Sequence, residues 1–332
     1  MEQHVGKLIE NMEKNVSFMG VNILPAQVLV KTLNIERNEW LEWRKKGIGG
    51  SDAAAVAGLN PWKSPFAVWM EKTGQIEPEE PGEAAYWGTI LEDIVTQEFS
   101  KRTGMKVRRR NAILQHPDFP WMLANIDRMI VGENVGLECK TTSAYNAKEW
   151  EDDEVPAQYL VQVQHYMAVT GAKSWWLAVL IGGNRFLYKR VDQDEELIQQ
   201  LIEIERDFWE NHVVPGIPPE MDGSSASTEF LKKMYPEGKP NTIDLPSEAG
   251  ELIESLDLLN EELKALEMRK AECENRLKAM LGESEIGKFG DRLVTWKNIK
   301  TSRFDSKAFA KDYPDLYEKY LKTSQYRKFA VK

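Results

Sequence analysis

The chain has 332 residues, 42% hydrophobic and 29% charged, with a formal net charge of −10, which suits one large or two modest globular domains and excludes a coat-like nucleic-acid binder working through bulk positive charge. Its only cysteines are Cys139 and Cys273, too few for a disulfide framework or a four-thiolate iron–sulfur site within one chain, and its four histidines form no His-x-x-x-His pair of the kind that binds zinc. No apolar run is long enough to span a bilayer and no charged-then-apolar leader opens the chain, so a soluble, cytoplasmic protein without membrane contact is expected.

The N-terminal MEQHVGKLIENMEKNV reads as a polar, helical lead-in. Residues 35–47 (IERNEWLEWRKKG) predict a helix with Trp40 and Trp43 on adjacent turns, followed by GIGGSDAAAVAG, a glycine-rich turn entering a small-residue helix with Ser51 or Asp52 as N-cap. Backbone N–H groups at that turn, with Arg44 one helix earlier, form a candidate anion site. It is not a nucleotide loop, because the Gly-Lys-Ser/Thr ending is missing. Asn60-Pro61-Trp62 stops the helix, and SPFAVWMEKTG predicts the next, ended by Gly74. An acidic loop spans 75–85. Residues 86–103 then place Ile90, Leu91, Ile94, Val95 and Phe99 at helical spacing. Glu92 on this helix is either on its wet side or aimed at something positive. Local basic clusters occur at Arg44-Lys45-Lys46, Lys101-Arg102 and Arg108-Arg109-Arg110, where a solvated face and a phosphate contact are both open.

Strands are expected at Val107, 112–114, 121–124, 128–131 and 135–140, the last two joined by the tight turn Gly132-Glu133-Asn134. Side chains alternate along a strand, so Glu138 and Lys140 share a face, and Asp127 at the start of the neighbouring strand can fall beside them. Two carboxylates and an ammonium so placed can grip a divalent cation and orient a water for phosphodiester hydrolysis. An acid-x-Lys strand is also a common cross-strand ion pair. Residues 155–170 predict a buried helix on which Gln162 and Tyr166 share a face and His165 packs on another. Gln162 must find partners for its amide there. Residues 175–181 and 185–191 read as an alternating hairpin about Gly182-Gly183, followed by a helix over about 194–212.

The core is read as residues 1–221, with a linker-like stretch over 222–246 and a C-terminal extension over 247–332. In the extension, Leu252, Leu256, Leu259, Leu263 and Leu266 recur every three or four positions, marking a long amphipathic helix or helical hairpin. It either packs on the rest of the protein or forms a coiled-coil contact with another subunit. From residue 283 on, twelve Lys/Arg stand against seven Asp/Glu, with aromatics between. That suits either a small half-buried β/α module or a nucleic-acid contact.

Taken in order, WLEWRKKGIGGSDAAAVAG, the Gly88–Glu92 segment, IDRMI…GLECK and QVQHYM resemble the YqaJ-type viral recombinase family, the lambda-exonuclease-like branch of the PD-(D/E)xK nucleases, over about residues 36–220. The resemblance implies an α/β (α+β), restriction-endonuclease-like core with a mixed central sheet flanked by helices. It also implies two Mg²⁺ (or Mn²⁺) ions and 5′→3′ degradation of one strand of linear duplex DNA. On the matching positions it makes Asp127 and Glu138 metal ligands, with the carbonyl of Cys139 completing the shell. Lys140 stands beside the attacking water, Glu92 near the metals, and Gln162 in the site. Arg44 and Ser51, with Tyr166, hold the 5′-phosphate end of the DNA, and Asp118 is a further candidate acid. The chain departs from the pattern at Asp127-Arg128, where many members have Asp-Gly. By the same resemblance the partners are double-stranded DNA ends and a single-strand annealing recombinase of RecT/Beta type, and copies close into a homo-oligomer, a ring of three in lambda-type members. A structure-specific or restriction-type endonuclease and a non-catalytic DNA-binding scaffold are the competing readings.

Overall fold

The computed structural model describes residues 26–77, 82–323 and 325–331. The N-terminal lead-in and residues 78–81 of the acidic loop therefore lie outside the described residues. The first part of the chain runs β1 (Gln27–Lys31), α1 (Arg37–Lys45), α2 (Gly50–Val56), α3 (Pro65–Lys72), α4 (Glu83–Thr103), β2 (Val107–Arg109), β3 (Ala112–Gln115), β4 (Leu123–Asn125), β5 (Arg128–Ile130) and β6 (Gly136–Thr142). A 3₁₀ segment, Ala144–Trp150, leads to α5 (Ala157–Thr170), β7 (Ser174–Ile181), β8 (Arg185–Asp192), α6 (Glu195–Asp207) and α7 (Ser225–Met234).

Five strands form a mixed sheet in the order β2-β5-β6-β7-β8, with β6 and β7 parallel and the other pairs antiparallel. The parallel pair is connected through α5. This is the mixed central sheet flanked by helices expected of the core. β7 reads SWWLAVLI and is buried on both faces, not alternately as the hairpin reading supposed. The reason is its central position. Leu137 and Ala178 pack with Val95 and Phe99 of α4 on one face, while Trp175 and Leu177 pack with Val163 and Met167 of α5 on the other. A smaller sheet, β1-β3-β4, packs against α5 as well.

Two glycines set close approaches near the future site. A Cβ at Gly136 would lie 2.0 Å from the Trp175 ring, so only glycine lets this side chain cross β6. A Cβ at Gly50 would lie 2.5 Å from the Tyr166 ring and 3.1 Å from Gln162 Cγ, so α2 sits directly on α5.

The chain divides into two compact units, with the break between Lys233 and Met234. The stretch 222–246 is thus not one linker. Its first half folds as α7, whose Ala226 and Ser227 are buried and whose start is fixed by Asp222 accepting from Ser224 and Ser227. In the second unit α8 (Glu248–Leu281) is one continuous 34-residue helix. It is followed by the hairpin β9 (Ile286–Phe289) and β10 (Arg292–Thr295), then α9 (Ser306–Asp312) and α10 (Pro314–Tyr320). Among the described residues no helix is long and apolar enough to cross a membrane.

Candidate active site

The β5–β6 turn brings Asp127 and Glu138 together, and the pleat does the rest. Leu137 and Cys139 face α4, where the Cys139 thiol lies 3.3 Å from the Thr96 hydroxyl. Glu138 and Lys140 face α5. Lys140 Nζ donates to Glu138 Oε1 at 2.6 Å and to Gln162 Oε1 at 3.0 Å. Gln162 Nε2 donates to the same Glu138 oxygen at 2.7 Å and to the Tyr166 hydroxyl at 3.0 Å. Tyr166 in turn donates to the Asn125 carbonyl at 3.0 Å. Asp127 Oδ2 accepts the Cys139 N–H at 3.1 Å. Four of the expected residues, Asp127, Glu138, Lys140 and Gln162, therefore converge.

Two features of this cluster fit a divalent cation. Glu138 Oε2 is buried with no hydrogen-bond partner, a state that costs free energy for a charged oxygen. Burial, and then the neighbouring Glu138 charge, push the Asp127 carboxyl up to about 7 against the pull of Lys140. Burial works against the Lys140 ammonium, but the charges of Glu138 and Asp127 outweigh it and raise its pKa, so the lysine stays protonated. The donors available are carboxylate and carbonyl oxygens. That set fits a hard divalent ion such as Mg²⁺ or Mn²⁺, which is bound through one or two carboxylates and keeps much of its water. The Cys139 thiol is pushed up by burial and offers no thiolate, so only the carbonyl of that residue is a candidate ligand.

Glu92 is not free at this site. Its carboxylate is paired with Arg128 Nη1, whose side chain is 5% exposed. Arg128 also donates to Asp93 Oδ1 at 2.5 Å and to the Asp127 carbonyl at 2.9 Å. Burial and the Asp127 charge raise the Glu92 pKa, and Arg128 works against them. The arginine that broke the expected Asp-Gly pattern is the counter-charge of Glu92.

A second cluster surrounds Asp52, which is 1% exposed. The N-cap of α2 is Gly49, not Ser51 or Asp52. Asp52 sits one turn in and accepts the Gly49 N–H at 3.3 Å, so one of the backbone donors expected to meet an anion is already engaged. Three cations meet the same carboxylate: Lys72 at 2.7 Å, Lys63 at 3.2 Å and Arg44 at 3.3 Å. Burial favours the neutral acid, but the charges of Lys72, Lys63 and Arg44 hold Asp52 well below the usual carboxylate range. Burial dominates at Lys72 and brings it from 10.5 to about 8. Arg44 also reaches the Ser51 hydroxyl at 3.3 Å and lies over the Trp40 ring. Arg44 and Lys63 keep side-chain exposures of 29% and 24%, whereas Lys72 is closed in at 4%. Lys63 also donates to Glu71 Oε2 at 2.6 Å, so the cluster sets three cations against two carboxylates, and Arg44 and Lys63 are its more open cations. The sequence reading passed over Lys63, Lys72 and the ionic role of Asp52. The available signal was a lone acid inside an alanine-rich helix, which needs a buried counter-charge.

Two expected roles change and one holds. Tyr166 is buried, and its hydroxyl is used by Gln162 and Asn125, so it forms the wall of the site and presents nothing to DNA. Asp118 is exposed in the turn between β3 and β4, where its N–H donates to His116 Nδ1, away from the carboxylate pair. His165 is a packed histidine as expected, with Nε2–H donating to the Leu123 carbonyl at 2.8 Å and Nδ1 meeting Glu205 at 2.7 Å.

The model of the YqaJ-like viral recombinase domain matches residues 39–173, which contain every residue of both clusters. The protein YqaJ of Bacillus subtilis (strain 168) is 48% identical over 311 residues, covering 92% of this chain and 98% of that protein. A short segment of 57 residues is 37% identical to protein D345L of African swine fever virus, covering 17% of this chain and 16% of that one. Among solved structures, the alkaline exonuclease of Laribacter hongkongensis is similar at 20% identity and a TM-score of 0.48, over 59% of this chain and 97% of that one.

Proposed function

We propose, from the premise that this chain belongs to the YqaJ-like viral recombinase family, that it is a divalent-metal-dependent exonuclease that degrades one strand of linear double-stranded DNA, 5′→3′, and leaves a 3′ single-stranded tail. The observation that carries this reading is the buried, unpartnered Glu138 oxygen beside Asp127, with a protonated lysine two residues on. Asp127, Glu138 and the Cys139 carbonyl would hold Mg²⁺ or Mn²⁺. When bound, such an ion activates water and offsets charge on the phosphoryl group.

The chain's own residues supply the remaining work. Lys140 is charged, so it serves as a donor that orients the nucleophile and steadies negative charge on the phosphate, not as the base. Gln162 holds Glu138 Oε1 and Lys140 Nζ at once, which fixes both while leaving Oε2 as a ligand atom. Tyr166 and Asn125 keep Gln162 from turning. Arg44, Ser51 and Lys63 would take the 5′-phosphate, because the three cations of their cluster outnumber its two carboxylates, Asp52 and Glu71. Each cleavage would leave a new 5′-phosphate, so every product end is again a substrate. In this reading the protein works in the cytoplasm of the host cell. The 3′ tail is loaded by a single-strand annealing recombinase, and copies of the chain assemble around the duplex.

The test is a linear duplex labelled on either strand, with and without 5′-phosphate, incubated in Mg²⁺ beside closed circular DNA. The expected outcome is shortening of the 5′-ended strand, faster with the phosphate, and intact circles. Nicked circles would assign an endonuclease, and inertness on every substrate would assign a DNA-binding scaffold.

A further inference from the structure

The Asp127-Arg128 dipeptide is divided between two tasks. Arg128 pairs in register with Leu137 and shares its face, which is the α4 side of the sheet. Asp127, one residue earlier, sends its carboxylate to the Cys139 N–H. Arg128 is almost wholly buried, and its fork is filled by Glu92, Asp93 and the Asp127 carbonyl. Asp93 is held from its other side by Arg109 at 2.6 and 2.7 Å, so the clamp has a second brace. Glu92 thus already has a fixed counter-charge. Among the described residues no three acid, histidine or cysteine side chains converge closely enough to hold one ion. Asp127 and Glu138 act as a pair, and Glu92 stands outside it.

A second divalent ion between Asp127 and Glu92 would have to displace the guanidinium from Glu92 and sit beside it. Like charges that close, away from water, repel strongly. We infer that this centre takes one divalent ion, on Asp127, Glu138 and the Cys139 carbonyl, and that the Arg128 guanidinium stands where a second ion would otherwise be needed. Glu92 is then a positioning residue that anchors Arg128, and not a metal ligand. This rests on the metal-dependent reading above.

The experiment counts Mn²⁺ bound per chain by electron paramagnetic resonance, using the full chain in complex with a 5′-phosphorylated duplex whose end linkages are non-cleavable. The native protein should bind one ion. Arg128→Gly should bind two, and so should Arg128→Met, which keeps the buried stem and guards against misfolding of the glycine variant. Adding Glu92→Gln to either should return the count to one, while Glu92→Gln alone should leave it at one. Two ions in the native complex would overturn the inference. So would a count of one in a folded Arg128→Met variant, because the arginine would then not be what excludes the second ion. Glu138→Ala separates the two levels. Undiminished Mn²⁺ binding in that variant would remove the metal centre itself, whereas its loss together with two ions in the native protein would remove only the role given to Arg128.

Discussion

Asp52 is buried and Asp127 half-buried, both in one unit, and their carboxyls are driven in opposite directions. Three cations hold Asp52 far below its ordinary pKa, whereas burial and a second carboxylate lift Asp127 to about 7. The first site sets three cations against two carboxylates, Asp52 and Glu71, and the second sets two carboxylates against Lys140. α2, which carries Asp52, packs on α5, which carries Gln162, through Gly50. In the proposed function, a phosphate end would balance the first site and a divalent ion the second.

The sharpest way to break this contrast is at the lysine. Lys140→Ala should reduce cleavage by about 10²–10³-fold, the scale seen when one oriented donor is removed from a developing oxyanion. Duplex binding in Ca²⁺ should be unchanged. Full turnover by that variant would take the ammonium out of the chemistry. Next come the two aspartates, whose removal should move stability in opposite directions. Asp52→Ala leaves the buried Lys72 without its anion and Lys63 with Glu71 alone, and should cost about 3–5 kcal/mol in chemical denaturation, the usual result of breaking a buried ion pair from one side. Asp127→Asn can still accept the Cys139 N–H and relieves repulsion from Glu138. The metal-free protein should therefore be unchanged or more stable by about 1 kcal/mol, although metal binding is lost. If both variants lost stability alike, the two sites would not differ as described.

Local patterns in the sequence carry the fold and the carboxylate pair well. Period-two alternation through GLECK puts Glu138 and Lys140 on one face, and the short turn at 132–134 limits where Asp127 can go. The i, i+4 spacing of Gln162 and Tyr166 places them together, but not which of them faces solvent, and that is why Tyr166 was given to DNA. Long-range ion pairs leave no local trace. Lys63 and Lys72 lie 11 and 20 residues beyond Asp52, and Arg128 reaches a helix 35 residues earlier. Such contacts depend on how helices dock on the sheet, so the partner of Glu92 could be expected as a cation without being named. β7 misled for a related reason. Burial on both faces follows from its neighbours and not from its own alternation.

The smallest effect expected is a pH dependence of end recognition. Lys72 titrates near 8 because burial disfavours its charge. Below that pH it is protonated and adds to the positive field around Arg44 and Lys63. As pH rises through 8 it loses its proton, and the field falls. A terminal phosphate, whose second pKa is about 6, keeps its charge throughout this range. The preference for 5′-phosphate over 5′-hydroxyl ends, taken as a ratio of kcat/KM values, should therefore fall a few-fold between about pH 7 and 9. The ratio cancels any titration at the metal centre, since both substrates share it. Lys72→Met should give a low, flat ratio over the same range. A ratio that fell equally in Lys72→Met would place the titration elsewhere, and a flat ratio in the native protein would mean that Asp52 keeps Lys72 charged despite its burial. In that case the surplus of positive charge at the phosphate site would be fixed, and not tuned by pH.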